Sequence, residues 1–240
     1  MERNAKYKYL IFDVDDTLLS FYSAFKKSQE DLAKRLGVEC SDEFKTLDNQ
    51  CGWRAWKESG LEDTRSLDVQ KNYHDYYYRY IEKHYFYLAK ELGTEINTDA
   101  LVSAYIESVS DSKELMEADT LEVYKALAEE YKLVLATNGI ASIQKMRITD
   151  FLPFTHKTYI SEEVGHIKPS QQYFQAIIND LGCEPEECLM IGDSITNDII
   201  GAKEMNIDVC YYNIAQKAKR YVLIPDYEIS SISELLGLLL

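Results

Sequence analysis

The sequence lacks any apolar stretch long enough to cross a bilayer. The longest runs, such as 235–240, are far shorter than the about 20 residues that a membrane-spanning helix needs. Basic residues are also few, because 26 Lys and Arg stand against 41 Asp and Glu and leave a net charge of −15. Such an acidic chain is repelled by nucleic-acid backbones and by anionic membrane surfaces. We therefore expect a cytoplasmic protein with no membrane and no nucleic-acid polymer as partner.

Cysteine is scarce and scattered. The 5 cysteines are an odd number at irregular positions, which fits reduced thiols better than a disulfide framework. Cys183 and Cys188 are close in sequence, but no histidine lies beside them, so a zinc site is not expected. The 4 histidines have no metal-binding spacing, and we expect them to be structural or exposed to solvent.

The most informative segment is a short apolar run that ends in acids. Residues 9–12 read as a strand that is buried on both faces, and Asp13, Asp15 and Thr17 follow it. Because ligands bind at the carboxyl ends of strands in open α/β sheets, we expect Asp13 and Asp15 at such an edge. Their mutual repulsion calls for a bound cation, a shared proton, or a division into nucleophile and acid/base. For this segment alone, an acidic turn without a function is the alternative.

Three further apolar runs also stop at polar residues. Their ends supply a hydroxyl with an amide, an ammonium, and a second pair of carboxylates. The residues concerned are Thr137 and Asn138 after 133–136, Lys168 after 158–161, and Asp193 and Asp198 after 189–191. Together with the first acidic pair, these groups are of the kinds that bind a phosphate group.

In this order the segments resemble the motifs of the haloacid dehalogenase superfamily: DxDxT, a Ser or Thr after the second strand, a Lys, and an acid pair of the GDxxxD type. The resemblance implies a magnesium-dependent enzyme in which Asp13 is the nucleophile and Asp15 the general acid and base. It also implies that Mg²⁺ is held by Asp13, by the backbone carbonyl of Asp15 and by Asp193, with Asp198 in support. Thr137 and Lys168 are then the remaining catalytic groups.

Charge explains why Thr137 and Lys168 are needed. A phosphate dianion and the motif carboxylates outnumber the positive charges that one Mg²⁺ and one lysine supply. Neutral donors must make up the difference. We expect these to be the Thr137 hydroxyl and the backbone N–H groups of residues 14–16 and 138–139. We also expect Lys168 to be able to pair with Asp198.

The alternation of strands and helices is interrupted once. After Leu19 the residues of 21–105 read as polar, helical sequence, and the alternation then resumes. We therefore expect an α/β fold: a Rossmann-like parallel sheet built from residues 1–20 and 106–240, with a helical cap inserted after the first strand. Further elements predicted in the second part are a helix that begins near Asp119, a helix between Ser170 and Gly182, and a fifth strand at 208–212.

A narrower resemblance is to the bacterial pyrimidine 5'-nucleotidases. It is carried by Asn138 and Gly139, by Gln144 and Arg147, and by the cap segment 53–58. The resemblance implies a small phosphorylated metabolite, a nucleotide, as substrate, with Asn138, Trp53 and Trp56 as substrate-binding residues. Either tryptophan could stack on a nucleobase, and packing within the cap is the alternative.

Residues 73–88 contain an unusual concentration of tyrosine. Most of these tyrosines, with His84 and Leu88, share one face at helical spacing. We interpret this face as a packing stripe with hydroxyl groups at its margin, in preference to a base-stacking platform.

The sequence therefore predicts a magnesium-dependent phosphomonoester hydrolase that acts through an aspartyl-phosphate, and the narrower resemblance implies pyrimidine nucleoside 5'-monophosphates as its substrates. The main alternative is a sugar-phosphate or phosphoglycolate-type phosphatase, which would differ only in cap contacts. A phosphomutase would use the same residues but keep water from the intermediate. A dehalogenase has little use for Asp15 or a full metal set, and a non-catalytic binding module is favoured only if a motif acid is lost.

Overall fold

Strands and helices alternate along most of the chain, apart from one run of helices between the first and second strands. The structure is a computed structural model that describes residues 6–63, 66–94, 97–214 and 224–240. In chain order, the elements are β1 (Tyr9–Phe12), α1 (Phe21–Leu36), α2 (Asp42–Ser59), α3 (Leu67–Glu91), α4 (Thr98–Ser110), α5 (Thr120–Ala128), β2 (Lys132–Thr137), α6 (Ala141–Arg147), β3 (Thr155–Ile160), α7 (Ser161–Val164), α8 (Gln171–Leu181), β4 (Cys188–Gly192), α9 (Gly201–Lys203), β5 (Asp208–Tyr212), β6 (Tyr227–Ile229) and α10 (Glu234–Leu239).

The strands form one parallel, 6-stranded sheet in the order β3-β2-β1-β4-β5-β6. β1 lies at the centre, where Phe12 is opposite Leu135 of β2 and Ile191 of β4. The strand order reverses between β1 and β4, and a parallel sheet binds ligands at the carboxyl ends of the strands beside such a reversal. The predicted Rossmann-like α/β fold is confirmed.

Apolar side chains cover the sheet in two separate clusters. Leu10 and Phe12 of β1 belong to one cluster, whereas Tyr9 and Ile11 belong to the other. This division follows from the alternation of side chains along a strand. Because both faces of the sheet are packed, the polar residues that follow its strands gather at the edge.

Helix α8 agrees with its sequence signals. Ser170 precedes it, and the hydroxyl of Ser170 accepts a hydrogen bond from the backbone N–H of Tyr173 at 3.3 Å. The helix ends at Gly182, whose φ of 59° is in the left-handed region that glycine favours. The predicted helix between Ser170 and Gly182 is thus present.

Residues 21–113 form a second compact unit, and residues 1–20 with 114–240 form the first. The boundary expected at 105/106 falls inside α4, which continues to Ser110, and the division lies instead at 113/114. In the described part of the chain, no helix is both long and apolar enough to span a membrane.

Within the helical unit, the tyrosine-rich face of α3 is a packing surface. The Tyr77 hydroxyl lies 3.0 Å from that of Tyr105, and the Tyr80 ring stacks on His84. His84 is buried, and its Nε2 lies 2.8 Å from Oδ1 of Asp48. These contacts favour the packing interpretation of the stripe over a base-stacking platform.

Candidate active site

Three acids from two separated segments meet at the carboxyl edge of the sheet. Asp13 follows β1, and Asp193 and Asp198 follow β4. One carboxylate oxygen from each of these three residues lies within 4.8 Å of the other two. Oxygen ligands at this separation suit a hard divalent cation. The edge therefore brings together the carboxylates that sequence reasoning assigned to a metal.

Lys168 is buried at the centre of this cluster. Its ammonium donates to Oδ1 of Asp13 at 2.6 Å, to Oδ1 of Asp198 at 2.7 Å and to the carbonyl of Ala136 at 2.8 Å. These contacts use the three donors of an ammonium group. The expected pairing with Asp198 is present, together with a contact to Asp13.

Asn138 holds the backbone of Lys168. Its side-chain oxygen accepts from the Lys168 N–H at 2.8 Å, and its side-chain nitrogen donates to the Lys168 carbonyl at 2.9 Å. The two hydrogen bonds fix the loop that carries the lysine. This geometry favours a positioning role for Asn138 over the predicted contact with substrate.

Three charged groups of the cluster have raised pKa values, for different physical reasons. Burial acts to lower the pKa of Lys168, but the carboxylates of Asp13 and Asp198 raise it above its usual range. Burial, with the neighbouring charges of Asp13 and Asp198, raises the pKa of Asp193 to about 8. Burial raises the pKa of Asp198 to about 6, although Lys168 opposes this. The site thus holds more negative charge than one lysine balances.

Thr17 links the two acidic segments. Its buried hydroxyl donates to Oδ2 of Asp13 at 2.9 Å and accepts from the backbone N–H of Asp193 at 3.2 Å. Thr17 was not among the predicted site residues, although the threonine of the DxDxT motif was the signal that could have found it.

Asp15 is bound on both carboxylate oxygens by side chains of α6. Arg147 pairs with Oδ1, and the amide nitrogen of Gln144 donates to Oδ2 at 2.7 Å. The same nitrogen lies 2.9 Å from the hydroxyl of Thr137. Burial and the charge of Asp13 raise the pKa of Asp15, while Arg147 and Gln144 act to lower it. The sequence placed Gln144 and Arg147 in the nucleotidase resemblance but not in the site.

Two of the backbone N–H groups expected to bind phosphate have partners within the protein. The Gly139 N–H donates to the Ser161 hydroxyl at 3.0 Å, and the Asp16 N–H donates to the Leu19 carbonyl at 2.7 Å. The expectation for these two groups is therefore wrong, because the loops around them use the donors to hold their own shape.

Gly192 permits the close approach of Asp198. A Cβ atom at position 192 would lie 2.4 Å from Oδ2 of Asp198, which is far inside van der Waals contact. Asp198 lies in a π-helix, Ile195–Ile200, and this same oxygen accepts from the Ser194 N–H at 3.0 Å. The missing side chain at 192 thus lets the carboxylate fold back toward Lys168.

Trp53 and Trp56 belong to α2 of the helical unit. The side chain of Trp53 is 63% exposed, whereas the Trp56 ring packs edge-on against Tyr80 at a centroid distance of 5.3 Å. The two tryptophans thus differ, since only Trp53 presents an open ring face of the kind that stacking needs.

Comparison with known proteins gives relatives that match most or nearly all of the chain. YfnB, a haloacid dehalogenase-type hydrolase of Bacillus subtilis, is 30% identical over 98% of this chain and 96% of its own. Pyrimidine 5'-nucleotidase PynA of Streptococcus pneumoniae is 27% identical over 97% and 95%. Glyceraldehyde 3-phosphate phosphatase of Methanopyrus kandleri is 30% identical over 81% and 79%.

The fold is shared with a solved relative. The crystal structure of YfnB bound to magnesium superposes with a TM-score of 0.80 at 27% identity, over 98% of this chain and 99% of that one. A scan of known families matches residues 7–206 to the haloacid dehalogenase-like hydrolases. That range includes every motif residue at the sheet edge, and the chain belongs to the haloacid dehalogenase-like hydrolase family.

Proposed function

We propose that this hydrolase is a magnesium-dependent phosphomonoesterase with Asp13 as its nucleophile. The observation that carries the proposal is the position of Asp13. Its carboxylate oxygens accept hydrogen bonds from Lys168 and Thr17. One of its oxygens also lies within 4.8 Å of a carboxylate oxygen of Asp193 and of Asp198. A carboxylate that is held and charge-compensated in this way is ready to attack an electrophile, and its neighbours suit a phosphoryl group.

The residues fit a hard divalent cation. Asp13 and Asp193 would provide carboxylate ligands and Asp15 its backbone carbonyl, with Asp198 in support through Lys168. All of these ligand atoms are oxygens. Burial and the neighbouring negative charges raise the pKa of Asp193, and a cation relieves that excess of negative charge. Bound Mg²⁺ would supply positive charge against the phosphate dianion as the nucleophile approaches.

The chain's own residues then have separate roles. The Asp13 carboxylate attacks phosphorus and the ester P–O bond breaks, while Asp15 gives its proton to the departing alcohol. In the second half of the reaction, water attacks the phosphorus of the aspartyl-phosphate. Asp15 takes a proton from this water, and the bond between phosphorus and Asp13 breaks. Lys168 and the Thr137 hydroxyl offset the charge of the phosphoryl oxygens.

For the substrate, we infer a pyrimidine nucleoside 5'-monophosphate. The similarity to PynA over nearly the full length of both chains supports this class. The exposed ring of Trp53 offers a flat surface of the kind that stacks on a base. A sugar phosphate is the second candidate, favoured by the 30% identity to glyceraldehyde 3-phosphate phosphatase.

The test is inorganic phosphate release from a panel of nucleoside 5'-monophosphates and sugar phosphates, with and without Mg²⁺. We expect release that requires Mg²⁺ and is fastest with pyrimidine nucleotides. Release from sugar phosphates alone would reject the nucleotide assignment. Isomerisation without release would indicate a mutase, and halide release from haloacids without phosphatase activity would indicate a dehalogenase.

A further inference from the structure

Both oxygens of Asp15 are engaged by a single helix. Arg147 and Gln144 lie three residues apart on α6, so their side chains project from the same face. Arg147 pairs with Oδ1 of Asp15, and Gln144 donates to Oδ2 at 2.7 Å. The carboxylate is thus held in one plane from one side, while its side chain keeps 25% of its surface exposed.

The backbone beneath Asp15 is also fixed. The Val14 carbonyl accepts hydrogen bonds from the N–H groups of Leu18 and Leu19, each at 2.9 Å, and Asp16 has a φ of 61°. The remaining freedom of Asp15 lies in its side-chain torsions. The donors from α6 remove that freedom, because rotation of the carboxylate would break both contacts.

Arg147 is a charged residue at a fully buried position. Its side chain has no exposed surface, and it is the largest of the fully buried side chains in the described part of the chain. Burial of a guanidinium costs several kcal/mol unless partners compensate. The guanidinium also donates to the Ser20 carbonyl at 3.4 Å, so it joins Asp15 to the end of the segment that follows β1.

Gln144 contacts a second group of the site. Its amide nitrogen lies within hydrogen-bond distance of Asp15 and of the Thr137 hydroxyl, and its buried amide oxygen has no hydrogen-bond partner among the described residues. The contacts of the nitrogen with Asp15 and Thr137 therefore set the orientation of the Gln144 amide, although this orientation leaves the amide oxygen without a hydrogen bond from the described residues. Donation to Thr137 fills an acceptor position of that hydroxyl and leaves its proton for another acceptor.

We propose that Arg147 and Gln144 are positioning residues that hold the Asp15 carboxyl where it passes its proton to the leaving alcohol. The inference rests on the proposed function, since it assigns them to the acid of that reaction. A general acid works only within hydrogen-bond reach of the oxygen that it protonates, and a displacement of about 1 Å can cost about 100-fold in rate. Neither residue needs to touch the substrate for this role.

The role has a signature that a purely structural residue lacks. Departure of an alkyl alcohol needs a proton, whereas 2,4-dinitrophenolate leaves without one. We therefore compare kcat/KM for an alkyl phosphate with kcat/KM for 2,4-dinitrophenyl phosphate, since this constant reports the steps up to departure. Both esters are measured on one preparation, so the ratio is insensitive to the fraction of folded protein.

For Arg147→Met we expect the alkyl-to-dinitrophenyl ratio to fall at least about tenfold, which is part of the about 100- to 10,000-fold that a general acid contributes. Arg147→Lys keeps the charge but not the planar fork, so it should lower the ratio less. Should the methionine variant fail to fold, the lysine variant and Gln144→Met carry the test in the same direction. Asp15→Asn is the reference for complete loss of the acid.

Lys145→Met is the matched control, because Lys145 lies on the same helix and pairs with Glu163 at the surface. We expect its ratio to equal that of the wild type. A ratio that falls in Asp15→Asn but is unchanged or raised in the Arg147 and Gln144 variants would overturn this inference and leave the proposed function intact. A ratio that does not fall in Asp15→Asn would overturn the assigned acid, and this inference with it.

Discussion

The Lys168 ammonium lies 2.6 Å from Oδ1 of Asp13, and both side chains are buried. The proposed nucleophile is therefore paired with a cation before any substrate binds. A buried pair of this kind pays a large desolvation cost, which its mutual attraction offsets only when the geometry is good. The pair keeps the Asp13 carboxylate fixed in position, and each of the two buried charges stabilises the other.

Removal of the lysine should destabilise the fold. Lys168→Met leaves the Asp13 and Asp198 carboxylates buried without their partner, which typically costs about 3–5 kcal/mol in the free energy of unfolding. Urea unfolding of metal-free protein measures this loss. Lys203→Met is the control, because the pair of Lys203 with Asp226 is partly exposed and should contribute only about 0–1 kcal/mol. Equal losses in the two variants would contradict the account.

Stability of the metal-free protein should fall as pH rises. The pKa of Asp193 is raised from 3.8 to about 8 in the fold, so the folded state holds this proton more tightly than the unfolded chain does. The associated stability is complete below pH 3.8 and is lost as pH rises through about 8. Mg²⁺ should remove this loss and release protons on binding.

Urea midpoints measured across this pH range, in chelator and in Mg²⁺, test the pH prediction. Asp193→Asn is the control, since it removes the carboxyl whose pKa is raised to about 8 and should reduce the loss of stability near that pH in chelator. Identical pH profiles of the urea midpoint for the wild type with and without Mg²⁺ would contradict the account, because they would show that the metal does not change the titration of Asp193.

A methyl group at position 192 should damage the site. In Gly192→Ala the added carbon would collide with Asp198 at 2.4 Å and push its carboxylate away from Lys168. We expect Mg²⁺ affinity or kcat/KM to fall at least about tenfold, as is typical when a supporting contact of a metal site is lost. Gly237→Ala is the control, because a Cβ there meets open space in α10 and should stabilise the helix by up to about 1 kcal/mol.

Trp53 should affect KM for substrates that carry a base and not for sugar phosphates. Stacking of a base on an aromatic ring contributes roughly 1–3 kcal/mol, so Trp53→Ala should raise KM for nucleoside 5'-monophosphates about tenfold. KM for ribose 5-phosphate, which has no base, should not change. Phe86→Ala removes another exposed aromatic ring of the same helical unit and should leave both constants unaltered. A parallel rise for both substrates in Trp53→Ala would remove the stacking role.

The central part of the sheet could be predicted because its strands are buried on both faces. β1, β2 and β4 each read as an apolar run that stops at a polar residue, and Asp13, Thr137 and Asp193 mark those ends. β6 was missed, since it has three residues, two of them polar or partly exposed, and no apolar run marks it.

Apart from the pairing of Lys168 with Asp198, the contacts between loops could not be predicted. Periodicity gives the face of a helix but not the group that it meets, so the approach of Arg147 and Gln144 to Asp15 had no signature. The use of the Asn138 amide on the Lys168 backbone depends on two loops that are 30 residues apart in sequence. Motif order indicated which residues gather, whereas most of their hydrogen-bond partners emerge only from the fold.

The most direct measurement is the covalent state of Asp13 during turnover. Protein mixed with Mg²⁺ and an excess of a phosphomonoester is quenched in acid, digested and analysed by mass spectrometry. We predict a peptide in which Asp13 carries one phosphoryl group, and its absence from Asp13→Asn, which should also release no phosphate. Steady turnover with an unmodified Asp13 peptide, together with an active Asp13→Asn variant free of deamidation, would contradict the account.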